Sequence, residues 1–127
     1  MSLSSAALST IRRGYVVLVD LMPVLGAELG KNARPAVVVS PDFVNAKSPT
    51  LIVVPCLSEK DYRKPHPHEV ALPAGEGGLE KDSIAVPNQI RTIDKERVTK
   101  VCGAITPAKL AQITHKVVWF VGGSTTP

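Results

Sequence analysis

The sequence predicts a mainly β protein: a small, strongly bent barrel carrying one C-terminal α-helix. Three observations predict it. Apolar runs of strand length recur along the chain, divided by turns rich in glycine and proline. None of these runs approaches the roughly 20 residues that a membrane span needs. Only after Thr106 does the apolar spacing change from that of a strand to that of a helix. Five to seven short strands with a single terminal helix fit a bent barrel better than a parallel sheet.

Each element follows from its own residues. Gly14 opens a first strand, YVVLVDL, at residues 15–21. A loop with two glycines, MPVLGAELGKNA, fills residues 22–33, and RPAVVVS at residues 34–40 is the second strand. Pro41-Asp42 begins a turn that Ser48-Pro49 closes. TLIVVPCL, residues 50–57, is almost continuously apolar, which predicts a strand covered on both faces, with a bend or an edge at Pro55. A polar loop, residues 58–67, leads to a short strand at 68–72 and the turn PAGEGG. Strands at residues 82–86, 89–93 and 99–105 follow, with a DKER turn before the last. Thr106 is a hydroxyl N-cap and Pro107 suits the first helical position. Leu110, Ile113, Val117 and Phe120 then recur at helical spacing, and Gly122-Gly123 ends the helix.

With 127 residues, 44% hydrophobic and 20% charged, the chain has the length and composition of one globular domain. The expected organisation is a flexible tail at residues 1–10, a single barrel domain at 11–121 and a second flexible tail at 122–127. MSLSSAALST lacks the charged start and apolar block of a secretory signal, so the expected location is the cytoplasm. Cys56 and Cys102 sit in apolar stretches and match no zinc spacing, so they read as small core hydrophobes. A net charge of +4 and a pI near 9.3 mildly favour a polyanionic partner. Aromatic residues are only 4% of the chain, too few for a broad base-stacking platform, so any nucleic acid must be held largely through its phosphates.

Within that frame Arg34 stands out, a permanently charged guanidinium at the head of a buried strand. Its planar paired donors match a phosphate better than lysine does. On its own residue type it reads more readily as a strand-end arginine that reaches solvent or pairs with Glu28.

An ordered set of segments gives that arginine a context: RRGYVVLVDL, GAELGKNARPAVVVS, SPTLIVVPCLS, PHEVAL, GLEKDSIAV and NQIRTIDKERV, together spanning residues 12–104. This set resembles the MazF/PemK toxins of bacterial toxin–antitoxin pairs. The resemblance implies an SH3-like barrel that forms a homodimer and needs no cofactor. It implies a sequence-selective endoribonuclease that cuts single-stranded RNA without a metal. The 2′-hydroxyl attacks its own phosphodiester, leaving a 2′,3′-cyclic phosphate and a 5′-hydroxyl, and a cognate antitoxin protein covers the RNA groove. No membrane partner is implied.

Carried over residue by residue, the resemblance makes Arg34 catalytic, with Gly30 and Lys31 of the preceding loop beside it. The family's second catalytic position is a threonine in a pattern like P-[IL]-T-S. Here the stretch reads Pro55-Cys56-Leu57-Ser58, so Leu57 takes the threonine's place and has no hydroxyl. Ser58 contributes only if a one-residue shift or bulge brings it round, because neighbouring strand residues face opposite sides. Before QIRTID the family often has an acid; Asn88 here keeps a hydrogen-bonding shape but accepts no proton. The interval from Glu28 to Arg34 is one residue longer than the usual pattern, and Met22 replaces a polar residue before Pro23. Glu28 is expected to accept from a base amine, and Asn88, Gln89 and Arg91 to line the RNA groove or the dimer seam. Asp94 reads as a turn or short-helix cap, His115 as solvated, and His66 and His68 argue only weakly for a metal; a histidine acid/base pair requires that His68 fold toward Arg34.

Two further readings stay open on these residues. Leu57 and Asn88 suit a catalytically weakened homologue that binds RNA or antitoxin. The same barrel also serves toxins resembling CcdB, which trap DNA gyrase; Arg34 in its RPAVVVS context and QIRTID argue for the RNase branch instead.

Overall fold

The computed structural model describes residues 3–58 and 63–127. Among the described residues seven strands form one curled antiparallel sheet: β1 (Tyr15–Val19), β2 (Arg34–Val38), β3 (Thr50–Leu57), β4 (Val70–Leu72), β5 (Ser83–Ala85), β6 (Arg91–Asp94) and β7 (Val98–Ala104). The order across the sheet is β4-β5-β3-β2-β1-β7, with β6 also paired to β3. Two register shifts in the β1–β7 ladder, at Val16/Val17 and Leu18/Val19, bend the sheet there.

The strands read as continuous apolar runs because both faces of the sheet are buried. Val17, Val19, Ala36, Val38 and Val53 point into one core cluster, while Val16, Val37, Val54 and Cys56 point into another. The second cluster is closed by α3 (Pro107–Phe120), which places Ile113 fully inside and packs Leu110 and Val117 against it. Thr106 caps this helix by accepting the Lys109 N–H at 3.4 Å. Gly77 lets the turn at Glu76–Gly78 lie against β1 and the end of β7: its φ is +58°, and an added Cβ would meet Ile105 at 3.0 Å.

β3 is the hinge of the topology. Its first half, Thr50–Val53, pairs with β6; its last residues, Cys56 and Leu57, pair with β5. Pro55 falls at the change of neighbour, and its carbonyl accepts the Val86 N–H at 3.0 Å on that same edge. Its missing N–H therefore leaves no gap in either ladder. The bend expected at Pro55 is thus a change of partner.

Three stretches differ from expectation. Within residues 1–10, Ser5–Leu8 forms a single helical turn, α1, and Leu3 and Leu8 pack against the first core cluster. The turn expected between Pro41 and Pro49 is a helix, α2 (Asp42–Lys47), held by buried Asn45, whose Nδ2 donates to the Ser40 carbonyl at 2.9 Å. The sixth strand begins at Arg91 and not at Gln89, because Pro87–Gln89 closes into a 3₁₀ turn.

Candidate active site

Arg34 begins β2, directly after the loop of residues 22–33. That loop is closed at its base by the Leu21 N–H donating to the Lys31 carbonyl at 3.0 Å. Arg97 anchors the outgoing end, its Nη1 donating to the carbonyls of Asp20 at 3.0 Å and Met22 at 2.7 Å. Inside the loop Glu28 Oε1 accepts the Leu25 N–H at 2.6 Å. From across the site Gln89 holds it twice, Nε2 donating to the Ala27 carbonyl at 3.2 Å and Oε1 accepting the Leu29 N–H at 3.4 Å. Gly30 has no room for a side chain, since a Cβ would meet Val24 at 2.6 Å and the Met22 sulfur at 2.9 Å. Lys31 has a φ of +134°, a conformation costly for a residue with a Cβ.

The loop and β3 together cradle the guanidinium. Arg34 is only 6% exposed; Nε donates to the Gly30 carbonyl at 2.5 Å and Nη1 to the Cys56 carbonyl at 2.9 Å. Fixing two of its five N–H donors orients the guanidinium plane. Burial pushes the Cys56 thiol up to about 12, against the opposing pull of the Arg34 charge, so Cys56 contributes its carbonyl and not a thiolate.

Ala36 pairs with Pro55, and continuing that antiparallel register sets Arg34 opposite Leu57. Leu57 is buried with Ile84 and Val86 against Leu29, and it lines a cavity of about 350 Å³. Asn88 and Gln89 line the same cavity, as do Arg63, His66, His68, Glu69 and Phe120. Ser58, the next residue along, opens instead into a cavity of about 220 Å³ beside Ser83, Lys81, Lys100 and Cys102. Its Oγ accepts from Lys31 Nζ at 3.2 Å. Leu57 and Ser58 therefore face different cavities, and no bulge carries Ser58 to the Leu57 side.

Of the residues singled out in the sequence, Gly30 and Arg34 meet through a hydrogen bond, and Lys31 and Ser58 through another. Asn88 and Gln89 join Leu57 at the larger cavity. Glu28 is exposed and folded onto its own loop, and Arg91 stands opposite Val53, outside both cavities. Asp94 is the cap expected of it, its Oδ1 accepting the Glu96 N–H at 2.8 Å.

Sequence reasoning missed the far wall of the larger cavity. Glu69 receives a bidentate pair from Arg63, at 2.7 and 2.8 Å, and the backbone N–H of His66 at 2.8 Å. These bonds, the Arg63 pair first, hold the Glu69 carboxyl below the usual carboxylate range. His68 stacks on Trp119 at 4.2 Å, with Phe120 edge-on at 5.9 Å. The available signal was PHPHE together with WF at the end of the helix; only packing joins them. Among the described residues no group of three His, Cys, Asp or Glu side chains is placed to hold a metal ion.

Comparison with known proteins agrees with this architecture. Endoribonuclease EndoA of Bacillus subtilis is 42% identical over 89 residues, covering 70% of this chain and 75% of its own. Endoribonuclease MazF9 of Mycobacterium tuberculosis is 42% identical over 108 residues, 81% of this chain and 89% of its own. The crystal structure of MazF from Deinococcus radiodurans superimposes with a TM-score of 0.75 at 26% identity, over 88% of this chain and 96% of that one. The model of the PemK-like, MazF-like toxins of type II toxin–antitoxin systems matches residues 12–121, and the chain belongs to that family.

Proposed function

We propose that this protein is a sequence-selective endoribonuclease toxin that cuts single-stranded RNA by attack of the 2′-hydroxyl on the adjacent phosphodiester. A homodimer within the cytoplasm, neutralised by a cognate antitoxin, completes the proposal, with residues 11–121 as its catalytic barrel. The nucleophile belongs to the substrate, so the reaction requires no metal-activated water. Its products are a 2′,3′-cyclic phosphate and a 5′-hydroxyl.

The observation that carries this reading is the placement of Arg34: a guanidinium fixed by two carbonyls, under a loop, beside the strand end whose Leu57 lines a large cavity. Charge developing on the phosphorane oxygens is stabilised most by a donor that does not need to reorient. Removing one such donor costs about 3 kcal/mol, on the order of a hundredfold or more in rate. The relatives named as endoribonucleases support the same reading.

Asn88 and Gln89, at the cavity wall, read base edges, and Gly30 and Lys31 shape the approach to the phosphate. Ser58 acts through Lys31, holding that ammonium at the base of the loop. Leu57 and Asn88 also favour a second reading, a homologue that binds RNA but cleaves it slowly. One experiment separates them: a long single-stranded RNA is incubated with the protein in EDTA and the 5′ ends are mapped. Discrete cuts that vanish in Arg34→Ala support the nuclease, whereas intact RNA held tightly supports the weakened homologue.

A further inference from the structure

The 2′-oxygen must lose a proton as it attacks, and the two positions where the family places a hydroxyl or an acid are here Leu57 and Asn88. Neither side chain takes up a proton. The cavity they line contains another group that does. His66 has a side chain 65% exposed, and its Nδ1 lies 3.7 Å from Glu69 Oε2. That carboxylate is itself only 6% exposed and is pinned by Arg63 and by the His66 backbone N–H. A fixed anion behind one ring nitrogen orients an imidazole and leaves the other nitrogen for chemistry. Among the described residues that line the cavity with His66, the ionisable ones are Glu69, Arg63 and His68, whereas Leu57, Asn88, Gln89 and Phe120 carry no charge.

We propose that His66, oriented by Glu69, is the general base for the 2′-hydroxyl in this chain. The inference rests on the ribonuclease reading above and supplies it with a proton acceptor on the wall of the larger cavity. The 2′-O–H bond breaks, with its proton passing to Nε2 of His66. The 2′-oxygen–phosphorus bond forms and the phosphorus–O5′ bond breaks. The departing 5′-oxygen takes a proton from solvent water, and the imidazolium returns its own proton to the hydroxide left behind. Arg34 carries the phosphoryl charge throughout, and Glu69 is a positioning residue.

The test is single-turnover cleavage of a single-stranded RNA in EDTA, measured across pH with wild type, His66→Gln and His66→Ala. Because the His66 ring is largely exposed, both variants are expected to melt with wild type and to bind a 2′-O-methyl RNA with unchanged affinity. Loss of the base is expected to slow cleavage on the order of a hundredfold. It should also abolish the fall in rate on acidification that protonation of an imidazole base produces. Added imidazole should restore part of the rate in His66→Ala. A His66→Gln enzyme within threefold of wild type, or one that keeps the same acid limb, overturns the inference and leaves the ribonuclease reading intact. Absence of cleavage by wild type overturns both.

Discussion

Nη1 of Arg34 donates to the carbonyl oxygen of Cys56 at 2.9 Å, tying the first residue of β2 to the strand end that presents Leu57 to the larger cavity. With the Gly30 carbonyl on Nε, this bond sets the guanidinium plane and links loop, β2 and β3 through one side chain. Arg34→Ala leaves two acceptors in a buried site without their donor, which costs about 2 kcal/mol in stability. Arg34→Lys keeps the charge but loses the planar pair of donors. The expected outcome is a modest loss of stability in urea melts for Arg34→Lys, a larger one for Arg34→Ala, and a fall of about a hundredfold in cleavage for both.

Leu57→Thr tests whether Leu57 stands in the place of a hydroxyl. The change removes apolar contact with Ile84, Val86 and Leu29, so the variant should be less stable by about 2 kcal/mol. It should nonetheless cleave faster than wild type, because the new hydroxyl would face the cavity opposite Arg34. A folded variant with an unchanged or lower rate contradicts that placement.

The thiols are expected to differ sharply in reactivity. Cys56 is fully buried with its pKa pushed up to about 12, while Cys102 is half-buried and raised by burial, with Lys100 opposing. Only thiolate reacts with alkylating agents. Mass spectrometry after iodoacetamide treatment at mildly alkaline pH should find Cys102 modified slowly in the native protein and Cys56 only after denaturation.

The strands were legible because burial on both faces writes itself as unbroken apolar runs, and α3 because its cap, proline and apolar spacing agree. Helix α2 was not legible: it is six residues long and held by the Ser40–Asn45 hydrogen bonds, which leave no periodic pattern. Nor was the docking of Leu3 and Leu8 onto the core, since two leucines among small polar residues carry no period. In the candidate site, Arg34 was legible from its place at the head of a strand. The cavity wall of Arg63, His66 and Glu69 beside Phe120 was not, because it joins a polar loop to the far end of α3. Phe120, expected on the helix's core face, instead remains 39% exposed at that cavity.

The most direct measurement is the chemistry of the cut ends. A long single-stranded RNA, incubated with the protein in EDTA and analysed by mass spectrometry, should yield fragments ending in 2′,3′-cyclic phosphate and beginning with a free 5′-hydroxyl. The same RNA with 2′-O-methyl groups should remain whole. Fragments that carry 5′-phosphates, or cutting of the methylated strand, would contradict attack by the 2′-oxygen under the charge of Arg34.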